Sequence, residues 1–167
     1  MSCRCAATEK RHLRWADERR CDRALTVLWL LDTCVVSETF RTVPDLHVTA
    51  WLQAHGADAA LPVVALGEIL YGIERLGAGR PRNELQLWFD GLTAKFSRRT
   101  LLTDEPVWRA FARLKASVEA IGRPQDDMDL LIAATATVHQ LVVVTRNVKH
   151  FQDSGVKVLN PWQFVKT

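Results

Sequence analysis

Residues 27–38 read VLWLLDTCVVSE. Five apolar residues in a row, Val27 to Leu31, end on the carboxylate of Asp32. A segment able to start a helix follows at once. An unbroken apolar run of this kind is the pattern of a strand covered on both faces. A carboxylate closing such a strand has two explanations. It caps the next helix through its side chain, or a ligand at the end of the strand needs it.

Working outward, the same punctuation repeats. Short apolar runs predict strands at residues 59–61, 99–102, 141–145 and 156–159. Between them the spacing predicts helices over residues 33–40, 45–55, 63–76, 81–96 and 105–121, and one from Asp127 or Met128 through His139. Pro81 suits a first helical turn, Asp104 a cap, and Gly56, Gly77 and Gly122 suit helix ends. Leu46, Ala50 and Leu52 are expected to face the core from the second helix. Leu66, Ile69, Leu70, Ile73 and Leu76 are expected to do so from the third. Strands alternating with helices predict an α/β fold with a central parallel sheet and helices on both faces.

The chain has 167 residues and 48% apolar content, which suits one packed domain. The net charge of +3 lies entirely in residues 1–26, and from Val27 onward there are fifteen charges of each sign. Any basic surface on the body must therefore come from arrangement, not from excess charge. Cys3, Cys5 and Cys21 precede the body, and Cys34 alone lies in it. The Cys3, Cys5, Cys21 spacing does not match structural zinc. One body cysteine fits a reducing, cytoplasmic setting. No apolar run approaches the roughly 18 residues of a membrane span, and the polar, arginine-rich start predicts no secretory signal. The abrupt change at Val27 suggests that residues 1–26 are an extension arising from a mis-assigned start, with the domain proper at 27–165.

Three acids stand where a parallel sheet would gather them at one edge. Asp32 ends the first strand. Glu68 interrupts a core-facing helix, flanked by Gly67 and Gly72. Helix-interior glycines cost about 1 kcal/mol each, so close approach of other groups is expected there, and a surface pairing of Glu68 with Arg75 is the bland alternative. Asp129 opens the helix DLLIAATATVH, with Asp126 and Asp127 beside it as rival caps. The strand LVVVT then runs into TRNVKHF, which brings Arg146, Asn147 and His150 to another strand end. Clustered carboxylates raise one another's pKa unless a cation neutralises them. All-oxygen donors suit Mg²⁺ or Mn²⁺. Such a cation supports hydrolysis of a phosphodiester.

The motifs LWLLDTCVVSE, LGEILYGIERL, GRPQDDMDLLIAATA, LVVVTRNVKHF and VKVLNPW, in that order from about Val27 to Trp162, resemble the PIN-domain ribonucleases. They are most similar to the VapC toxins of type II toxin–antitoxin pairs, in the FitB-like branch. The resemblance implies a three-layer α/β/α sandwich, a homodimer, an RNA substrate, a Mg²⁺- or Mn²⁺-dependent ribonuclease activity and a cognate antitoxin. It implies Asp32, Glu68 and Asp129 as catalytic, metal-holding acids, with Asn147 and His150 as weaker candidates for a fourth metal position. Two departures stand out. Cys34 replaces an amide that often supports the site, and a thiol is a poorer hydrogen-bond partner. His150 replaces a frequent acid.

Other classes fit less well. A haloacid-type phosphatase needs a second aspartate where Cys34 stands, and a dinucleotide enzyme needs a glycine-rich turn absent from TCVVSE. A cysteine hydrolase lacks a designated histidine. The competing reading is a degenerate PIN domain that binds RNA or antitoxin without cutting. Arg41, Arg75, Arg80, Arg82, Arg98, Arg99, Arg146 and Lys149 are the expected pool of phosphate contacts. Trp29, Trp51, Trp88 and Trp108 are expected in core or dimer contacts.

Overall fold

The computed structural model describes residues 28–165, so the expectation about residues 1–26 lies outside the described residues. Five strands form one parallel sheet: β1 (Trp29–Leu31), β2 (Ala59–Pro62), β3 (Thr100–Leu101), β4 (Val142–Val144) and β5 (Val158–Leu159). Their order across the sheet is β3-β2-β1-β4-β5. Six α-helices accompany them among the described residues: α1 (Thr33–Glu38), α2 (Leu46–His55), α3 (Val63–Glu74), α4 (Arg80–Phe96), α5 (Glu105–Ala120) and α6 (Asp127–His139). The expected α/β class and parallel sheet are both present. None of these helices is long and apolar enough to cross a membrane.

Period-two alternation divides the core into two layers. Leu31, Ala59, Leu61 and Val144 face one side, where they pack with Val35 of α1, Trp51 of α2, Ile69 and Ile73 of α3, and Phe96 of α4. Leu30, Ala60 and Val143 face the other side, against Ile132, Ala133 and Ala136 of α6. α5 backs α6 through Val107 and Ala110 against Ala134. Every central strand is thus covered on both faces, which is why β1 reads as continuous apolar sequence rather than as alternation.

Some expected faces are redistributed. In α2, Val48 and Trp51 are buried and the expected Leu52 packs against the same cluster, while Leu46 is 82% exposed. In α3 the expected Ile69 and Ile73 are buried together with Ala65, and Leu66 packs against that cluster, but Leu70 and Leu76 are exposed. The helical period holds in both, but the strip that meets the sheet is narrower than expected. α1 ends at Glu38, two residues earlier than expected. Glu38 is buried and accepts the Asp45 N–H at 2.9 Å and the Arg41 Nε at 3.2 Å, which turns the chain back toward α2. α5 closes at Gly122, whose φ of 70° allows the Arg123 N–H to reach the Val118 carbonyl at 2.9 Å.

Candidate functional site

The chain passes from β1 outward through β2 and β3, then returns to β4 and β5 on the other side of β1. Strand order therefore switches between β1 and β4, and crevices form outside the carboxyl ends of strands at such a point. Hydrogen bonding carries the ladder right up to it. The Asp32 N–H reaches the Val144 carbonyl at 3.0 Å, and the Thr145 N–H reaches the Leu159 carbonyl at 3.0 Å.

Asp32 occupies the N-cap position of α1, yet its side chain caps nothing. Its Oδ2 instead accepts the Thr145 hydroxyl at 2.5 Å and the Cys34 thiol at 3.1 Å. The residue is 5% exposed. The capping explanation for this strand-end acid therefore fails, although it holds elsewhere. Asp45 accepts the His47 and Val48 N–H groups, Asp104 accepts Val107 N–H, and Asp126 accepts Met128 N–H.

Glu68 lies in the second turn of α3, the helix that leaves β2. It is half-buried and accepts the Thr33 hydroxyl. Burial pushes its carboxyl above the usual range. The Thr33 bond acts against that, and the charges of Asp32, Asp129 and Asp126 add to it. The Arg75 guanidinium lies over the Tyr71 ring, 5.7 Å from its centroid. A Cβ added at Gly67 or Gly72 would meet nothing within 4 Å. Close approach therefore does not explain these glycines, and nothing in the structure does.

Asp129 stands in the first turn of α6, where Asp126 already supplies the cap and Asp127 pairs with Lys115 at 2.7 Å. Asp129 is thus left without a capping duty. Burial pushes its carboxyl up, the His150 ring opposes the rise, and the charges of Asp32 and Asp126 add to it. His150 places Nδ1 2.9 Å from Asp129 Oδ2, so against a carboxylate the Nδ1–H donates. Asn147 is exposed and contributes its backbone N–H to Thr145 Oγ1 at 2.9 Å.

The Cys34 thiol is pushed up to about 11, by burial first and then by the Asp32 charge. Such a thiol is a poor nucleophile, which counts against a cysteine hydrolase. Sequence reasoning misses Thr33 and Thr145. Each is a hydroxyl residue beside a candidate acid or at a strand end, and that is the available signal.

Among the described residues, no three His, Cys, Asp or Glu side chains form a ready-made cation nest. The donor set still fits a hard divalent cation. It is built from carboxylate oxygens, and burial first, with the neighbouring acids adding to it, pushes the carboxyls of Glu68 and Asp129 up, a rise that the Thr33 hydroxyl and the His150 ring only oppose in part.

Asp129 lines a pocket of about 390 Å³ together with Arg123, Lys149 and His150 and with the acids Asp126 and Asp153. Of the expected phosphate contacts, only Lys149 lines it. Arg99 is engaged elsewhere. One of its guanidinium nitrogens binds the carbonyls of Gly56, Ala57 and Ala59 at 2.7, 3.0 and 2.6 Å. Arg80 and Arg82 pair with Glu84 and Glu74. A separate apolar groove of about 640 Å³ runs between α1, α2 and α4, lined by Val36, Leu52, Trp88, Leu92 and Phe96.

The family profile described as PIN domain matches residues 29–154, a span that contains all three acids, Asn147 and His150. The chain belongs to the PIN-domain family. This PIN domain groups with the VapC and FitB toxins. VapC ribonuclease Y4jK of Sinorhizobium fredii is 32% identical over 136 residues, covering 80% of this chain and 97% of that protein. Toxin FitB of Neisseria gonorrhoeae is 35% identical over 135 residues, covering 80% and 97%. Among solved structures, that of FitAcB from Neisseria gonorrhoeae has a TM-score of 0.76 at 34% identity, over 82% of this chain and 100% of the other. DNA-bound VapBC from Salmonella typhimurium, at 22% identity and a TM-score of 0.68, shares the PIN fold over 81% of this chain and 98% of the other.

Proposed function

We propose that this PIN domain is a metal-dependent endoribonuclease, the toxin of a VapBC-type pair, that hydrolyses RNA phosphodiester bonds in the cytoplasm. One observation carries the reading. Asp32 at the end of β1 is tied to Thr145 at the end of β4, Glu68 is tied to Thr33 next to Asp32, and Asp129 is paired with His150 of the loop after β4, while none of the three side chains caps a helix.

Asp32, Glu68 and Asp129 would hold Mg²⁺ or Mn²⁺, with Asn147 and His150 as weaker neighbours. When bound, such a cation makes a water more acidic and offsets charge building on the phosphoryl oxygens. The chain's own residues prepare the ground. Thr145 and Cys34 hold one oxygen of Asp32, and Thr33 holds Glu68. His150 offsets charge on Asp129. Lys149 and Arg123 line the adjoining pocket and receive backbone phosphates, which positions RNA without reading its sequence.

Toxin–antitoxin complexes among the structural relatives support an antitoxin as partner. A homodimer is part of the same proposal. The competing reading, an inactive PIN domain that binds RNA or antitoxin, draws on the engagement of Asp129 Oδ2 by His150.

The deciding experiment is RNA cleavage by the full chain with Mg²⁺ or Mn²⁺, beside Asp32→Ala and an EDTA control. Metal-dependent cutting that disappears in the variant is expected. Neither cutting nor Mn²⁺ binding in the wild type would establish the inactive reading instead.

A further inference from the structure

The residue that departs most visibly from the expected pattern, Cys34, sits inside the hydrogen-bond network of Asp32. Four contacts define that network. Thr145 Oγ1 lies 2.5 Å and Cys34 Sγ 3.1 Å from the same carboxylate oxygen, Asp32 Oδ2. The Asn147 N–H points at Thr145 Oγ1 at 2.9 Å, and the Arg146 N–H points at Cys34 Sγ at 3.4 Å.

Proton direction follows from these contacts. A carboxylate only accepts. The Thr145 oxygen receives the Asn147 N–H, so its own proton goes to Oδ2. The Cys34 sulfur receives the Arg146 N–H, and its proton also goes to Oδ2. The 3.4 Å contact between Cys34 Sγ and Thr145 Oγ1 is longer than either bond to the carboxylate and is left without a proton of its own. Two successive backbone N–H groups of the loop leaving β4 are thus relayed, through two side chains, to one oxygen. Chains of this kind polarise one another, and donors to an ionised acceptor are the stronger class.

The consequence is a division of labour within one carboxylate. An sp² oxygen with two donors has little lone-pair capacity left. Both side-chain donors fall on Oδ2 and neither on Oδ1. We propose that Cys34 is a positioning residue: its S–H, together with the Thr145 hydroxyl, locks Oδ2 of Asp32, so that Oδ1 would be the oxygen left open to a cation. This rests on the metal-dependent reading above. The thiol, expected from the sequence to be a poorer hydrogen-bond partner than the amide it replaces, nonetheless donates to Asp32.

The test uses the full chain and Mn²⁺ alone as probe, by calorimetry, for wild type, Cys34→Ala and Cys34→Ser, with the thermal midpoint of each metal-free protein as the fold control. Loss of one charge-assisted bond should weaken Mn²⁺ binding about 5–20-fold in Cys34→Ala. Cys34→Ser keeps a donor and should stay within about threefold of wild type. Equal affinity in Cys34→Ala and wild type, or an equal loss in both variants, overturns the inference. A wild type that binds no Mn²⁺ overturns the metal reading instead.

A second measurement then judges Cys34 without metal. The S–H stretch is read by Raman difference between wild type and Cys34→Ser, which cancels Cys3, Cys5 and Cys21. The expected band lies below that of a free thiol and moves up in Asp32→Ala. A band at the free-thiol position, unchanged by Asp32→Ala, removes the proposed bond.

Discussion

Thr145 donates its hydroxyl to Asp32 Oδ2 at 2.5 Å, joining the end of β4 to the end of β1 across the point where strand order switches. Both residues are buried. Thr145→Val keeps the shape and removes the hydroxyl, leaving the Asn147 N–H without its acceptor and Asp32 Oδ2 with the Cys34 thiol alone. The expected cost is about 1–3 kcal/mol of stability, read by urea unfolding. Mn²⁺ affinity should fall as well. Thr145→Ser, which retains the oxygen, should lose far less of both.

Glu68 and Asp129 have carboxyls raised in the folded protein. A raised folded value means that the native state binds protons more readily than the unfolded chain. Stability of the metal-free protein should therefore fall as pH climbs from about 4 through those raised values, and stay lower above them. Asp129→Asn should flatten this fall and raise the metal-free thermal midpoint by about 1–3 °C, while abolishing cleavage. Protons and the cation compete for the same oxygens, so added Mn²⁺ should raise the midpoint more at about pH 7.5 than at about pH 5. A midpoint that rises across the whole acidic range without metal would contradict the raised carboxyls.

His150 offsets the charge of Asp129 with its Nδ1–H 2.9 Å away. His150→Asp exchanges that donor for another carboxylate. The metal-free protein should become less stable through added repulsion, and cleavage with Mg²⁺ should rise several-fold. Unchanged rate and unchanged metal affinity would remove His150 from the site.

Arg99 belongs by sequence to the pool of phosphate contacts, but in the fold it ties three backbone carbonyls at the entry to β2. Arg99→Met should lower stability by about 1.5–3 kcal/mol, as for bonds to a charged group. The salt dependence of RNA binding should not change. A shallower salt slope with intact stability would return Arg99 to the RNA surface.

Lys149 and Arg123 line the pocket beside Asp129. Replacing either by Ala should weaken binding of single-stranded RNA evenly across sequences. Each lost phosphate contact should reduce the slope of log affinity against log salt by about 0.7. An Asp153 partner sits 3.0 Å from Arg123, so the effect of Lys149→Ala should be the larger.

The sequence by itself determined the element order, the parallel sheet and the three acids as candidates. Fully covered strands must be apolar on both faces, and caps and glycine stops are local chemistry, so VLWLL, LVVVT, Asp104 and Gly122 could be read directly. What each acid was free to do was decided only by the tertiary structure. Asp32, Asp126 and Asp129 all stand at or near a helix start. In sequence they are equivalent, because capping depends on where a side chain turns. The fold gives Asp126 to its helix and turns Asp32 to Thr145, a residue 113 positions away. The same limit applied to the faces of α2 and α3 and to Arg99. Periodicity states that a helix has an apolar strip, but the angle at which it meets the sheet selects the residues that are buried. A guanidinium's partners are whatever carbonyls or phosphates the packed chain brings within reach. The fold also recast Cys34, which reads as a missing amide in sequence: its thiol donates to Asp32 two residues back, and its sulfur receives the Arg146 N–H from 112 positions away.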